Sequence, residues 1–545
     1  MKSFKFLILT SLLVLLSCTD GQTIKEANLH KHTKILASDE YGGREPGSKG
    51  GELTKNYIQK EFKSYGLEPI DGTYLLEVPL SKMEVDLSQS FLSIDVKGKS
   101  NNLVPGKDAV FWSKRVMENI DIDGSDLIFM GYGIVAPEYD WDDYEGIDVK
   151  GKTLVVLIND PGFSTRDPAL FNGKSMTYYG RWVYKFEEAA RQGAEALILI
   201  HDTEPAAYPW QVVETSWSGM QIDLKRSDLG ASRIKLEGWI TYNIAEELFK
   251  NSGLNLEEQK LKALKRNFKP IPMRGLKLNA QLVNNLSFSI SHNVAAIKKG
   301  SINPQEYVLM MAHWDHLGTR NAHSVNNDQI YNGAVDNATG VAGILELANY
   351  FSTKVTDRSL LFLAVTAEES GLLGSEYFSE YPPIKLSNIV AGYNFDGVLP
   401  LGKTKDVIVV GYGASELEDD LKKELDKVGK YILPDPFPEK GYFYRSDHIS
   451  LAKKGVPMLY ADGGADKIEG GVDAGTKIAN NYTANDYHQP SDEYKQSWDL
   501  SGFQEYLLIT GNMVEDLANS DRWPEWYEGN EFKSIREKSR KDNSD

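Results

Sequence analysis

Hydrophobic residues recur along this chain with more than one period, and the changes of period divide it. From Gly51 to Tyr65, the residues Leu53, Tyr57, Ile58, Phe62 and Tyr65 follow helical spacing, after a Gly-rich turn segment from Leu36 to Gly47. The spacing predicts an amphipathic helix that feeds a core. Between about residues 103 and 270 short apolar runs dominate, at Asp126–Met130, Thr153–Ile158 and Ala196–Ile200, with a helical pattern over Trp182–Gly193 before the third. They predict a compact β-rich module with its own core. From about Leu276 onward, apolar segments suited to strands and helices alternate: Tyr307–Ala312, Val341–Phe351, Leu360–Thr366, Ile389–Phe395, Val407–Val410, Leu417–Val428 and Val456–Ala461, then a helical pattern over Gly502–Leu517. That alternation predicts an α/β layer structure whose sheet is covered on both faces. The polar, charged stretch after Trp526 reads as a solvent-exposed tail.

Length and composition sharpen this division. A chain of 545 residues exceeds the roughly 250–300 at which a single core stops growing, so two domains are expected. Its 41% hydrophobic and 25% charged residues are ordinary for a globular protein, and a net charge of −18 opposes nucleic-acid binding, which needs clustered Lys and Arg. The first residues read as a targeting leader: Lys2 and Lys5 precede an apolar run from Phe6 to Leu16, too short to span a bilayer comfortably. It ends in Leu15-Leu16-Ser17-Cys18, which resembles the lipobox of bacterial lipoproteins. Cys18 is the only cysteine, which excludes intramolecular disulfides and cysteine-based zinc sites. The expected organisation is a signal peptide (1–17), a tether lipidated at Cys18 (18–26), the first part of the main domain (27–102), the β-rich insert (103–270), the rest of the main α/β domain (271–525) and a polar tail (526–545). Export to the periplasm or cell surface, with membrane anchoring through Cys18, goes with it.

Open α/β sheets place ligands outside the carboxyl ends of their strands. At three such ends and one loop this chain carries acids or imidazoles: His313-Trp-Asp-His-Leu-Gly318, the loop Gly333-Ala-Val-Asp-Asn-Ala-Thr-Gly340, Ala367-Glu-Glu-Ser-Gly371, and Asp396. Two close dications repel, and a shared carboxylate offsets that repulsion; Asp336 is the candidate bridge. Zinc takes nitrogen and oxygen donors where thiolates are absent, which suits His313, Asp336, Glu369, Asp396 and a later histidine, supplied by His488 in Tyr487-His-Gln-Pro-Ser-Asp492. Neighbouring Glu368 and Glu369 do not readily point the same way from an extended loop, so one can bind metal while the other faces a bridging water.

These residues resemble the zinc aminopeptidase and glutamate carboxypeptidase-like metallopeptidases, a family with a phosphorylase/hydrolase-like mixed sheet flanked by helices. The family's HxD strand end, GxxDNxxG loop, EE pair, NxD strand end and final HxxxD are met in order by His313 to Asp315, Gly333 to Gly340, Glu368-Glu369, Asn394 to Asp396, and His488 to Asp492. The resemblance implies two zinc ions, one on His313, Asp336 and Asp396 and the other on Asp336, Glu369 and His488, with Glu368 as general base and Asp315 orienting His313. It implies hydrolysis of peptides from the amino terminus by metal-activated water. The insert is similar to the protease-associated domain of several members.

Other polar residues carry less. Asp492 reads as a supporting or capping group, and Asn337 and Thr339 as shaping a helix start. The matched pattern already fills each metal's ligands, so His316 and His323 are read as structural or substrate-facing. Ser446-Asp447-His448 lacks the nucleophile turn of a serine hydrolase. The aromatics Tyr442, Phe443 and Tyr444 suit a specificity pocket or a core equally. His30, His32, His201 and His292 have no evident partners. Alternatives on the same fold are a carboxypeptidase or a one-zinc glutaminyl cyclase; outside it, a noncatalytic receptor that kept the scaffold.

Overall fold

The computed structural model describes residues 23–320, 328–461 and 463–541. The expected signal peptide, Cys18 and His323 lie outside the described residues. Among the described residues no helix is long and apolar enough to cross a membrane.

One strand of 28 residues, Ile271–Lys298, runs through both parts of the molecule. Its first half pairs antiparallel with Phe91–Val96 and Asn119–Phe129, and its second half with Leu75–Val85 and Arg358–Val365. Beyond Asn119–Phe129 the module's sheet continues in parallel through Thr153–Leu157, Ala196–Ile200 and Leu236–Ile240, with Ala109–Trp112 antiparallel at the edge. In Thr153–Leu157, Val155 and Leu157 feed a core on one face while Leu154 and Val156 feed a core on the other. Backbone pairing assigns some segments across the expected boundaries at residues 103 and 270. The hairpin Phe91–Val96 and Lys99–Asn102 belongs to the module's sheet, and Met220–Leu224 pairs with Leu80–Glu84 in the main one. Hydropathy locates such strands but carries no information on which edge they join.

The main sheet is mixed, as the α/β reading expects. Met458–Tyr460, Ile389–Asn394, Asn303–His313 and Arg358–Val365 are parallel, and Ile271–Lys298 adds to them antiparallel. Its strands are buried on both sides. Val308, Met310, Ala312, Phe362 and Ala364 pack under one helical layer with Phe62, Val341 and Phe503, whereas Leu309, Met311, Leu361 and Leu363 pack with Phe378, Ile449 and Leu451 on the other. Helix Gly340–Phe351 is apolar nearly all round and is correspondingly enclosed, in keeping with a helix that has no face left for water. Helix Lys49–Ser64 is capped by Ser48, whose Oγ accepts from Gly51 N at 3.1 Å.

The stretch after Trp526 is not the exposed tail that its charges suggest. Trp526 is 1% exposed and donates its indole N–H to Gly455 O, and Phe532 is buried beside it. Helix Lys533–Lys541 follows, and its Arg536 donates to Ile389 O and Val390 O while Arg540 lies 3.5 Å over the Trp523 ring. Basic side chains dock here because their stems are apolar and their heads find carbonyl and aromatic acceptors.

Histidines without evident sequence partners are tied into the scaffold: His30 to Tyr494 OH, His32 to Tyr57 OH, His201 to Tyr208 O and His292 to Lys55 Nζ. His32 is 1% exposed, and burial, reinforced by Lys31, pushes its pKa down to about 4. The unfolded chain, with an ordinary imidazole near 6.5, takes up the proton first. This group therefore costs no stability above pH ~6.5 and lowers it progressively as the pH falls toward about 4. In urea unfolding at pH 7 and pH 4.5, His32→Gln should shrink the stability difference between the two pH values by up to about 3 kcal/mol.

Candidate metal centre

Three parallel strands point their carboxyl ends at one rim. Asn303–His313 delivers His313, Arg358–Val365 leads into Glu368 and Glu369, and Ile389–Asn394 leads into Asp396. The loop before helix Gly340–Phe351 adds Asp336, and the turn after helix Gly471–Asn485 adds His488. The glutamates and His488 reach inward through sharp turns, because Ala367 (φ 54°) and His488 (φ 56°) are left-handed. That conformation costs an L-residue about 1–2 kcal/mol and persists where the surroundings over-determine it.

The five expected ligands meet as two triads that share Asp336. His313 Nε2 lies 3.2 Å from Asp336 Oδ1 and 3.1 Å from Asp396 Oδ1, and His488 Nε2 lies 3.2 Å from Asp336 Oδ2 and 3.1 Å from Glu369 Oε2. Two donors on a zinc at 2.0–2.1 Å stand about 3.3 Å apart at the tetrahedral angle, so both triads fit that ion in spacing as well as in donor type. The first triad is deep, with the His313 side chain 1% exposed; the second opens to solvent at His488, 35% exposed. Glu368 presents a carboxylate oxygen within 4.8 Å of donor atoms of His313 and Asp396.

A network of hydrogen bonds holds this arrangement. Asp492 accepts from Val335 N and Asp336 N, and Asn337 bridges two segments by donating to Phe395 O and accepting from Gly340 N and Gly397 N. Thr339 donates to Val335 O. Asp315 divides its work: its backbone carbonyl lies 3.2 Å from His313 Nδ1, while its carboxylate, 3.8 Å from that nitrogen, accepts from Glu368 N and Glu369 N. It thereby aims both the histidine and the glutamate pair.

Burial sets the electrostatics of the acids first, and their neighbours modify it. Burial pushes Asp315 and Asp447 up to about 7 and Asp492 up to about 6. Burial, joined by Glu369, Asp396 and Asp447, holds Glu368 well above the usual carboxylate range. Burial opposes protonation of His313 and His488, but the neighbouring carboxylates outweigh it, taking His488 up to about 10.

Residue types alone did not single out two supports. Arg44 is fully enclosed and donates to Trp314 O, Leu36 O, Asn332 O and Gly333 O, tying together the segments that carry His313 and Asp336. Burial pulls its guanidinium down to about 10, still charged at neutral pH, and Asp336, Asp492, Asp315 and Glu369 help to keep it so. Ser446 donates to Asp396 Oδ2 and accepts from Asn394 Nδ2. Its neighbour His448 packs between Phe443 and Tyr460, which removes the hydrolase triad from consideration. Phe443 is buried and Tyr444 donates to Glu531, so these aromatics serve packing at the junction with the inserted module.

Residues 293–511, which hold all five ligands and Glu368, match peptidase family M28. The match is confined to that segment, the one in which the sequence motifs meet. A stretch of 105 residues is 36% identical to a probable zinc metalloprotease of Pyrenophora teres f. teres, covering 19% of this chain and 22% of that protein. A stretch of 110 residues is 31% identical to aminopeptidase YwaD of Bacillus subtilis, covering 20% of this chain and 22% of the relative. The matched stretches thus span less than a quarter of these two curated relatives. An aminopeptidase structure from Aneurinibacillus sp. strain AM-1 aligns over 92% of this chain and 95% of its own, at 19% identity and a TM-score of 0.48.

The carboxylate shared by the two triads makes a direct prediction. Asp336→Asn should abolish uptake at both positions, whereas Asp396→Asn or His488→Ala should remove one equivalent each. Metal content per chain after dialysis against dilute zinc checks it.

Proposed function

We propose that the protein is a zinc-dependent aminopeptidase that works with two metal ions, His313, Asp336 and Asp396 holding one and Asp336, Glu369 and His488 the other. The observation that carries this reading is the single carboxylate of Asp336 facing two imidazoles with its two oxygens, each imidazole paired with a second carboxylate at 3.1 Å. One-zinc chemistry, as in a glutaminyl cyclase, has no use for the second triad, and a noncatalytic scaffold has none for either. When bound, zinc supplies Lewis-acid polarisation of the scissile carbonyl and brings the pKa of water to about 7.

The chain's own residues do the rest. Glu368, raised in pKa by burial among acids, is suited to take a proton from the attacking water and return it to the departing amine. Asp315 fixes the backbone of Glu368, so the base is held where it acts. Ser446 and Asp492 hold Asp396 and the Asp336 loop, keeping the donors in place through turnover. The choice of aminopeptidase over carboxypeptidase is supported by the likeness to aminopeptidase YwaD. Export, with lipid attachment at Cys18, is proposed on the leader sequence alone.

Three measurements test these readings. Glu368→Gln should retain both zinc ions and lose roughly 10²–10⁴-fold in kcat; near-wild-type turnover would exclude it as base. A panel of aminoacyl and carboxyl-terminal reporter peptides, run with and without a chelator, should show cleavage of the aminoacyl set only, abolished by metal removal. For the leader, mass spectrometry of the mature protein should find a diacylated cysteine derived from Cys18 at its amino terminus, and an unmodified Cys18 removes that proposal.

A further inference from the structure

His316, read from sequence as dispensable to the metals, stands inside the site. It is 1% exposed, and its Nδ1 is 2.5 Å from Glu369 Oε1. That separation decides what the imidazole does. The donor pairs that would share an ion are 3.1–3.2 Å apart, close to the roughly 3.3 Å edge of a tetrahedral zinc shell. A pair at 2.5 Å is too close for two ligands of one tetrahedral ion and suits a short charge-assisted hydrogen bond instead. An ionised carboxylate only accepts, so Nδ1 carries the proton and donates.

Two further features keep the ring in that role. A Cβ at Gly333 would come within 2.5 Å of His316 Cγ and Cδ2, so the imidazole fills space that only glycine leaves on the loop carrying Asp336. The His488 ring meets it edge-on, 5.6 Å away and at 74°. His316 is thus wedged between the bridging loop and the exposed histidine ligand, with its donor on the free oxygen of Glu369.

Resting on the two-metal reading above, we infer that His316 is a positioning residue for the second metal position: by holding Oε1 of Glu369 it turns Oε2 toward Asp336 and His488. The first position does not need it. There His313 is enclosed, and Asp396 has its own support in Ser446. The second position relies on a half-exposed histidine set on a turn, so the aim of Glu369 decides how well a cation is held. Outer partners of this kind are typically worth 10–100-fold in metal affinity.

The test is zinc binding to the purified, metal-free full-length protein, by competition with a chromophoric chelator and by metal content, for wild type, His316→Ala, His316→Leu and His316→Asn. Leucine fills the cradle without a donor, and asparagine offers an amide N–H near the place of Nδ1. Expected is a wild type that binds two zinc ions, Ala and Leu variants that bind the first as tightly as wild type and the second about 10–100-fold more weakly, and an Asn variant that recovers most of the difference. Thermal melts of the metal-free proteins show which variants fold, and a folded Leu variant carries the test if Ala does not fold. Unchanged affinity at the second position, equal loss at both, or an Asn variant no better than Leu overturns the inference. A wild-type chain that takes up fewer than two zinc ions removes the two-metal reading itself, and the inference with it.

Discussion

Like-charge repulsion among buried carboxylates is the constraint around which this structure is arranged. Asp315, Asp336, Glu368, Glu369, Asp396, Asp447 and Asp492 converge on one rim, and a pair of carboxylates 4 Å apart repels by about 4 kcal/mol at the effective dielectric near a protein surface. Burial first, and the neighbouring acids after it, hold Asp315 and Asp447 up to about 7, which favours their protonated forms and eases part of this. The chain relieves more by placing His313 and His488 between acids and by setting Arg44 beneath them with four carbonyl partners. On the proposed two-metal reading, two dications would complete the balance.

Satisfying that constraint dictates the local backbone. Parallel strands bring His313, the glutamate pair and Asp396 to one edge without any special turn. The last few ångströms require departures from ordinary geometry: left-handed residues at Ala367 and His488, and glycines at 333 and 340, where a Cβ would strike His316 and Asn337 respectively. Asn337 then locks the Asp336 loop to the strand end of Asp396.

The inserted module is bound into the same system. It shares the strand Ile271–Lys298 with the main sheet and closes on it through Lys453–Glu187 and through Arg226, which pairs with Asp223 on the strand that joins the main sheet and with Glu376. Its Tyr178 packs near Tyr444, two residues before the serine that steadies Asp396. The module therefore packs against the segment that leads to the support of Asp396.

Read alone, the sequence determined the α/β class and many helices and strands from Asn303 onward, and it named the five candidate ligands with Glu368 that the fold brings together, because hydropathic period and ordered strand-end motifs are local properties. It did not assign the hairpin Phe91–Asn102 or the strand Met220–Leu224 to their sheets, since backbone pairing is set by partners distant in sequence. It read the charged stretch after Trp526 as exposed, since a buried arginine is recognisable only once its carbonyl acceptors are in place. Arg44 looked like part of a turn and His316 like a spare histidine for the same reason. What each does depends on groups that only the tertiary structure brings within hydrogen-bond distance: Trp314, Asn332 and Gly333 for Arg44, and Glu369 for His316.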